Sequence, residues 1–101
     1  MNNPITGLKK ELESRVKLGI MSILMVKEQI DYNDLKNILE LTDGNLASHL
    51  KSLENSGFLQ VEKTFEGRKT RTIYIATKEG RLAFQEHLHA LEELVLQQQK
   101  H

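Results

Sequence analysis

A cluster of cations occupies the stretch from Lys63 to Arg71. Arg68 and Lys69 lie inside it and Glu66 is its one carboxylate, so these residues carry a local charge of +3. Ammonium and guanidinium groups donate charge-assisted hydrogen bonds to anionic oxygens. Residues 86–101, by contrast, carry a local charge of −2. The cluster therefore predicts an anion-binding surface at one end of the molecule.

A second group of residues near the C-terminus has the right types for a metal site: His87, His89, Glu92 and Glu93. Residues two apart on a helix point about 200° apart, so the two histidines face opposite sides. His89 and Glu93 are four residues apart and share a face, which is typical of a solvated pair. We therefore predict no metal site and no bound cofactor.

The sequence offers no arrangement of residues suited to catalysis. It has no cysteine, no glycine-rich phosphate loop after a strand and no nucleophile elbow, and its carboxylates are spread along helix faces. The lack of cysteine also fits a reducing compartment. We expect a protein that is not an enzyme.

Apolar residues at helical spacing mark most of the chain. One stripe runs through Val16, Ile20 and Leu24, with a helix start at about Leu8 or Ser14. Hydroxyl and amide residues stand at suitable N-cap positions before the later stripes. The predicted helices cover residues 8–27, 33–40, 42–56 and 77–98.

Between the third and fourth helices the apolar period changes from 3.6 to 2. Leu59 and Val61 alternate with polar residues before a charged turn at residues 66–69, and the alternation resumes after it. This pattern predicts a hairpin over residues 58–76. A further short edge strand or turn is expected just before the second helix.

The order of elements is helix, short strand, helix, tight turn, helix, hairpin, helix. A helix-turn-helix followed by a two-stranded wing has this order. The length of 101 residues suits one domain. We therefore predict a single domain over residues 1–101, mostly α with a small β-hairpin. Its architecture is a winged helix-turn-helix with an added C-terminal dimerisation helix.

Two stretches resemble winged-helix regulators of the ArsR and MarR type. Residues 45–59 (NLASHLKSLENSGFL) resemble the recognition helix and first wing strand, and residues 75–81 (IATKEGR) resemble the junction that closes the wing. The resemblance implies a homodimeric, sequence-specific DNA-binding transcriptional regulator, usually a repressor. The chain lacks the metal ligands of ArsR-type sensors and is shorter than the usual MarR-type protein, so the small-molecule effector is unknown.

The face of the third helix opposite its leucines is small and polar. A major groove about 12 Å wide admits such a helix, and the basic wing tip would reach the minor groove or its phosphates. His49, at the shoulder of the helix, either packs against the hairpin or touches DNA, whereas Asp43 is expected to stabilise the helix N-terminus. The predicted DNA-binding residues are Thr42, Gly44, Asn45, Ser48, His49, Lys51, Ser52, Lys63, Arg68, Lys69 and Arg71.

The last helix is longer than a domain of this size can cover. Its apolar residues from Phe84 to Val95 follow a coiled-coil spacing. We expect this stretch to pair with a second copy, so that two recognition helices meet half-sites one DNA turn apart. The predicted dimer interface comprises Leu8, Leu12, Leu88, Leu91, Leu94 and Val95.

The net charge of zero, from 14 basic and 14 acidic residues, is unusual for a DNA-binding domain. Two functions therefore stay open: a homodimeric repressor reading a palindromic operator in double-stranded DNA, or a winged-helix module that binds another protein. The longest apolar run is about half of what a bilayer requires. We expect a cytoplasmic, nucleoid-associated protein without a membrane partner.

Overall fold

The computed structural model describes residues 5–99. Within this range the chain forms four helices and a three-stranded antiparallel sheet. This arrangement confirms the predicted α+β winged-helix fold with a long C-terminal helix. In chain order the elements are a 3-10 turn (Lys10–Leu12), α1 (Arg15–Val26), β1 (Ile30–Asp31), α2 (Tyr32–Leu39), α3 (Asp43–Asn55), β2 (Leu59–Glu66), β3 (Lys69–Ala76) and α4 (Lys78–Gln99).

Each helix begins after a side-chain oxygen that accepts a hydrogen bond from its first turn. Asp31 Oδ1 accepts from the Asp34 N–H at 2.7 Å, and Thr42 Oγ1 accepts from the Asn45 N–H at 3.3 Å. These bonds satisfy N–H groups that a helix leaves unpaired at its start. The four capping residues are Ser14, Asp31, Thr42 and Thr77.

The first helix is shorter than the predicted range of residues 8–27. Ser14 is extended, with φ −151°, so it separates the 3-10 turn from α1 and caps α1. The second helix is capped by Asp31 and begins one residue before the predicted range of residues 33–40. α3 and α4 begin and end within one residue of the predicted bounds.

A tight connection joins α2 to α3. Glu40 adopts the left-handed conformation, with φ 52° and ψ 51°, and its backbone N–H donates to the carbonyl of Lys36. This reverses the chain within three residues, so that Thr42 can cap α3 directly. α2 and α3 are thereby held as the helix pair of a helix-turn-helix.

The sheet consists of the β2–β3 hairpin and the short edge strand β1, in the order β1-β3-β2. The hairpin register runs without interruption from Leu59 opposite Ala76 to Glu66 opposite Lys69. The loop at its tip begins with Gly67 at φ 64°, a region in which glycine is favoured. The hairpin is the wing, and β1 fixes its base to the body of the domain.

The core corrects the prediction made for Leu12. Leu12 is fully buried in the hydrophobic core of its own chain and so cannot serve as an exposed dimer contact. The 3-10 turn folds this side chain back onto the core, which helical spacing alone does not reveal. Leu8, predicted for the same interface, is half-buried.

The segment before α1 lies along α4. The backbone N–H of Lys9 donates to Nδ1 of the buried His87 at 2.9 Å. A Cβ added to Gly7 would lie 3.1 Å from the Cβ of Ala90, so the two backbones approach closely there.

No helix in residues 5–99 combines the length and apolar character needed to cross a membrane.

Candidate nucleic-acid interface

α3 presents a polar face to solvent because its apolar face is used by the core. Leu46, Leu50 and Leu53 are buried at i, i+4 and i+7. The predicted DNA-binding residues on the remaining face divide into two groups. Exposed are Thr42, Gly44, Asn45, Ser48 and Lys51, and half-buried are His49 and Ser52.

The start of α3 carries a carboxylate whose charge is compensated within the chain. Asp43 accepts from the Lys36 ammonium at 3.0 Å and from the Tyr32 hydroxyl at 3.1 Å. The Lys36 contact, and then the Tyr32 bond, lower the pKa of Asp43. Asp43 thus stays ionised, favours the positive end of the helix and is paired with a cation.

The wing tip carries three cations that are free of internal pairing. Lys63, Arg68 and Lys69 are exposed and form no ion pair with another residue in the range 5–99. Lys51 on α3, by comparison, lies 3.5 Å from Glu54 in an exposed pair that contributes little to stability. The tip therefore offers uncompensated positive charge to an anion.

Arg71 differs from the other basic residues predicted to bind DNA. Its Nε lies 3.0 Å from Asp31 Oδ2 and its guanidinium lies 3.0 Å from Glu66 Oε1. The Asp31 bond, and then the Glu66 bond, raise the pKa of Arg71. The charge pattern of the sequence predicts a free side chain here, but the fold brings Asp31 from the neighbouring strand against it. Arg71 therefore ties the wing to β1.

Sequence reasoning missed an exposed aromatic residue in the wing. Phe65 is 75% exposed and lies one residue before the end of β2. The period-2 pattern that begins with Leu59 and Val61 continues to Lys63 and Phe65, so these four share one face of the ribbon. That pattern is a usable signal for a large side chain at the tip.

The carboxylates and histidines of α4 form a separate region. His87 is buried and accepts a backbone hydrogen bond, whereas His89 is exposed with its Nε2 4.0 Å from Glu93 Oε1. No group of three or more histidine or carboxylate residues in the described part of the chain is placed to hold a metal ion. The features suited to ligand binding thus lie on α3 and the wing.

The chain matches a family model described as a winged helix DNA-binding domain over residues 16–95. An uncharacterized protein of Methanocaldococcus jannaschii is 38% identical over 85 residues, which cover 84% of this chain and 92% of that protein. The structure of a transcriptional regulator homologue from Pyrococcus horikoshii OT3 has a TM-score of 0.79 and 30% identity, with 84% of each chain covered.

The fold is shared with more distant proteins. The YusO protein of Bacillus subtilis has a TM-score of 0.78 at 14% identity, with 93% of this chain and 66% of that one covered. The sequence matches, and not this likeness in fold, establish the family. The chain belongs to the winged helix DNA-binding domain family and is a non-enzymatic, DNA-binding protein.

Proposed function

We propose that this protein is a sequence-specific transcriptional repressor that binds a palindromic operator as a homodimer. In this proposal α3 enters the major groove and the wing lies at the adjacent minor groove. A regulator of this kind acts in the cytoplasm, at the nucleoid. The family match supports DNA binding, and the surfaces of α3, the wing and α4 support the finer assignment.

One observation carries the proposal: the exposed polar face of α3 and the unpaired cations of the wing lie on consecutive elements of the chain. Asn45 and Ser48 can hydrogen-bond base edges without repelling phosphate. Arg68 and Lys69 supply the charge that phosphate contacts require. Because the acidic residues at the start of α3 and beside Arg71 are paired internally, the net charge of zero does not oppose binding at this surface.

The second copy is proposed to bind the distal half of α4. Leu88, Leu91 and Val95 are 44%, 39% and 57% exposed, and they continue the apolar face that Phe84 begins in the core. Leu94 is half-buried beside them. An apolar surface continuous with a core is stabilised when a second hydrophobic surface covers it. Pairing α4 with its mate would set two α3 helices at half-sites about 34–36 Å apart.

The decisive experiment is a salt titration of DNA binding. Fluorescence anisotropy of a labelled random duplex pool would be followed with purified protein between about 50 and 200 mM salt. The expected affinity falls steeply with salt, and selection from the pool should enrich a palindrome. The Arg68→Ala/Lys69→Ala variant should reduce the slope of log affinity against log salt by about 0.9 for each phosphate that is no longer neutralised.

A matched control removes the same charge elsewhere. Lys78→Ala/Arg81→Ala takes two cations from the start of α4 and should leave the salt slope unchanged. If the folded wild-type protein ignores duplex DNA at the lowest salt, the proposal fails and a protein-binding module becomes the better assignment. If selection enriches a single half-site without symmetry, the palindromic operator is refuted, while sequence-specific DNA binding stands.

A further inference from the structure

Phe65 is the largest exposed apolar side chain of the wing, and the fold does not use it. At 75% exposure it lies far outside the core, next to the unpaired cations of the tip. Its neighbour across the ribbon is Thr70, a small residue that cannot cover a phenyl ring. An exposed aromatic ring beside unpaired cations suits a binding partner that has both apolar and anionic surface.

The register shows on which side of the wing the ring lies. No bulge interrupts the pairing between β2 and β3, so alternation places Phe65 on the same face as Val61 and Lys63. Val61 and Tyr74 from this face line a groove together with Ala47 and Leu50 of α3. The ring therefore lies on the α3 side of the ribbon.

The two faces of the wing also differ in charge. On the α3 side Phe65 is accompanied by Lys63 and two threonines, Thr70 and Thr72, and by no carboxylate of the ribbon. The opposite face carries Glu62 and Glu66 together with Lys69 and Arg71, so its formal charge is zero, against +1 on the Phe65 side. A polyanion such as DNA is thus repelled less by the face that carries the aromatic ring.

We infer that Phe65 enters the minor groove beside the operator half-site, where its ring packs against deoxyribose and the edges of a base step. This inference rests on the proposed function. Apolar side chains inserted at the minor groove partly unstack a base step, and flanking cations hold the phosphates on either side. Lys63 and Arg68 are the flanking cations here. The contact is apolar and therefore releases no counterions.

The test compares variants by affinity and by salt slope, because the two quantities separate apolar from ionic contacts. Phe65→Ala should weaken duplex binding by about tenfold while leaving the slope unchanged. Arg68→Ala should lower the slope. Phe65→Leu, which keeps an apolar group, should lose less affinity. The control is Val26→Ala, which shortens an exposed apolar residue at the end of α1 and should leave both quantities unchanged.

A second readout reports on the DNA itself. A duplex with 2-aminopurine in the minor-groove segment should brighten when the wild-type protein binds, because the base step is partly unstacked, and should not brighten with Phe65→Ala. Circular dichroism and thermal melting verify that each variant is folded. If Phe65→Ala does not fold, Phe65→Leu is compared with wild type in its place.

The outcomes separate this inference from the proposed function. If wild type binds with a steep salt slope and Phe65→Ala binds equally well, the inference is overturned and the proposed function stands. If Phe65→Ala lowers the slope as well as the affinity, the ring acts by positioning cations and the inference is also overturned. If the wild-type protein itself does not bind duplex DNA, the inference about Phe65 and the proposed function are both refuted.

Discussion

The wing tip and the distal half of α4 both project from the core, yet their chemistry is opposite. The wing ends in Arg68 and Lys69 with one aromatic ring nearby, while α4 exposes Leu88, Leu91 and Val95. A charged surface is stable in water without a partner, whereas a continuous apolar stripe is stabilised when a second hydrophobic surface packs against it. The difference indicates that one projection is suited to a polyanion and the other to a hydrophobic surface.

The two projections meet at one place in the fold. The Thr77 hydroxyl donates to the carbonyl of Gly57 at 2.6 Å and accepts from the Gly80 N–H at 3.0 Å. The Thr77 N–H donates to the Phe58 carbonyl at 3.0 Å. This junction fixes the direction of α4 relative to the start of the wing. A change at either end should therefore have a local effect, whereas a change at the junction should affect both.

The largest expected effect comes from placing charge on α4. Leu91→Glu/Val95→Glu would bury carboxylates at the proposed dimer contact, where each apolar side chain contributes about 1.5–3 kcal/mol. The dimer dissociation constant should rise more than about 100-fold, and DNA affinity should fall with it. Sedimentation equilibrium and anisotropy measure the two quantities.

Leu82 supplies the control for this variant. It is also exposed on α4, but it points to the side of the helix opposite the stripe. Leu82→Glu should leave the protein dimeric. A Leu91→Glu/Val95→Glu protein that sediments as a dimer would show that the apolar stripe of α4 is not the dimer contact.

An intermediate effect is expected at the junction. A Cβ on Gly80 would lie too close to the Phe58 carbonyl, so Gly80→Ala must displace α4 or the chain before β2. The free energy of unfolding should fall by about 1–3 kcal/mol in urea titrations. Gly44 in α3 has open space around it, so Gly44→Ala should raise that free energy by about 0.5–1 kcal/mol. If both variants changed the free energy of unfolding in the same direction, the difference in space around the two glycines would not explain their effects.

The smallest expected effect concerns the pH dependence of stability at the start of α3. The pKa of Asp43 is lowered in the folded state by Lys36 and Tyr32. Its stabilising contribution is therefore present above the unfolded pKa of about 3.9 and is lost as the pH falls through the lower folded pKa. Asp43→Asn should be less stable than wild type at about pH 6, and the difference should close toward about pH 2.

Urea titrations across this range measure the difference, and Glu28→Gln is the control, since Glu28 is exposed and forms no ion pair with another described residue. A constant difference between wild type and Asp43→Asn at all pH values would rule out the ionised carboxylate as its source.

The order of elements can be predicted from the sequence because each element has a clear local signature. The leucines of α3 and the alternation of β2 recur at fixed spacing, and Thr42 and Thr77 are good caps. The prediction for Leu12 is wrong, because its burial depends on a 3-10 turn that no periodicity encodes. Of the two predicted starts of the first helix, Leu8 and Ser14, the structure agrees with Ser14, which caps α1.

The candidate site is less predictable than the fold. Counting charges along the sequence finds Arg68 and Lys69, which lie in solvent. It cannot find the pairing of Arg71, because Asp31 is forty residues away in the chain and is brought near by β1. The alternation along β2 places Phe65 on the same face as Leu59 and Val61, but it does not show that this face has left the core before residue 65.

The carboxylate of Asp31 has a consequence for the mobility of the wing. One of its oxygens caps α2 and the other binds Arg71, so a single side chain joins the helix-turn-helix to the hairpin. The wing is therefore held in its orientation before any DNA arrives. Less conformational entropy remains to be lost on association, because the helix and the wing can contact DNA as one rigid unit.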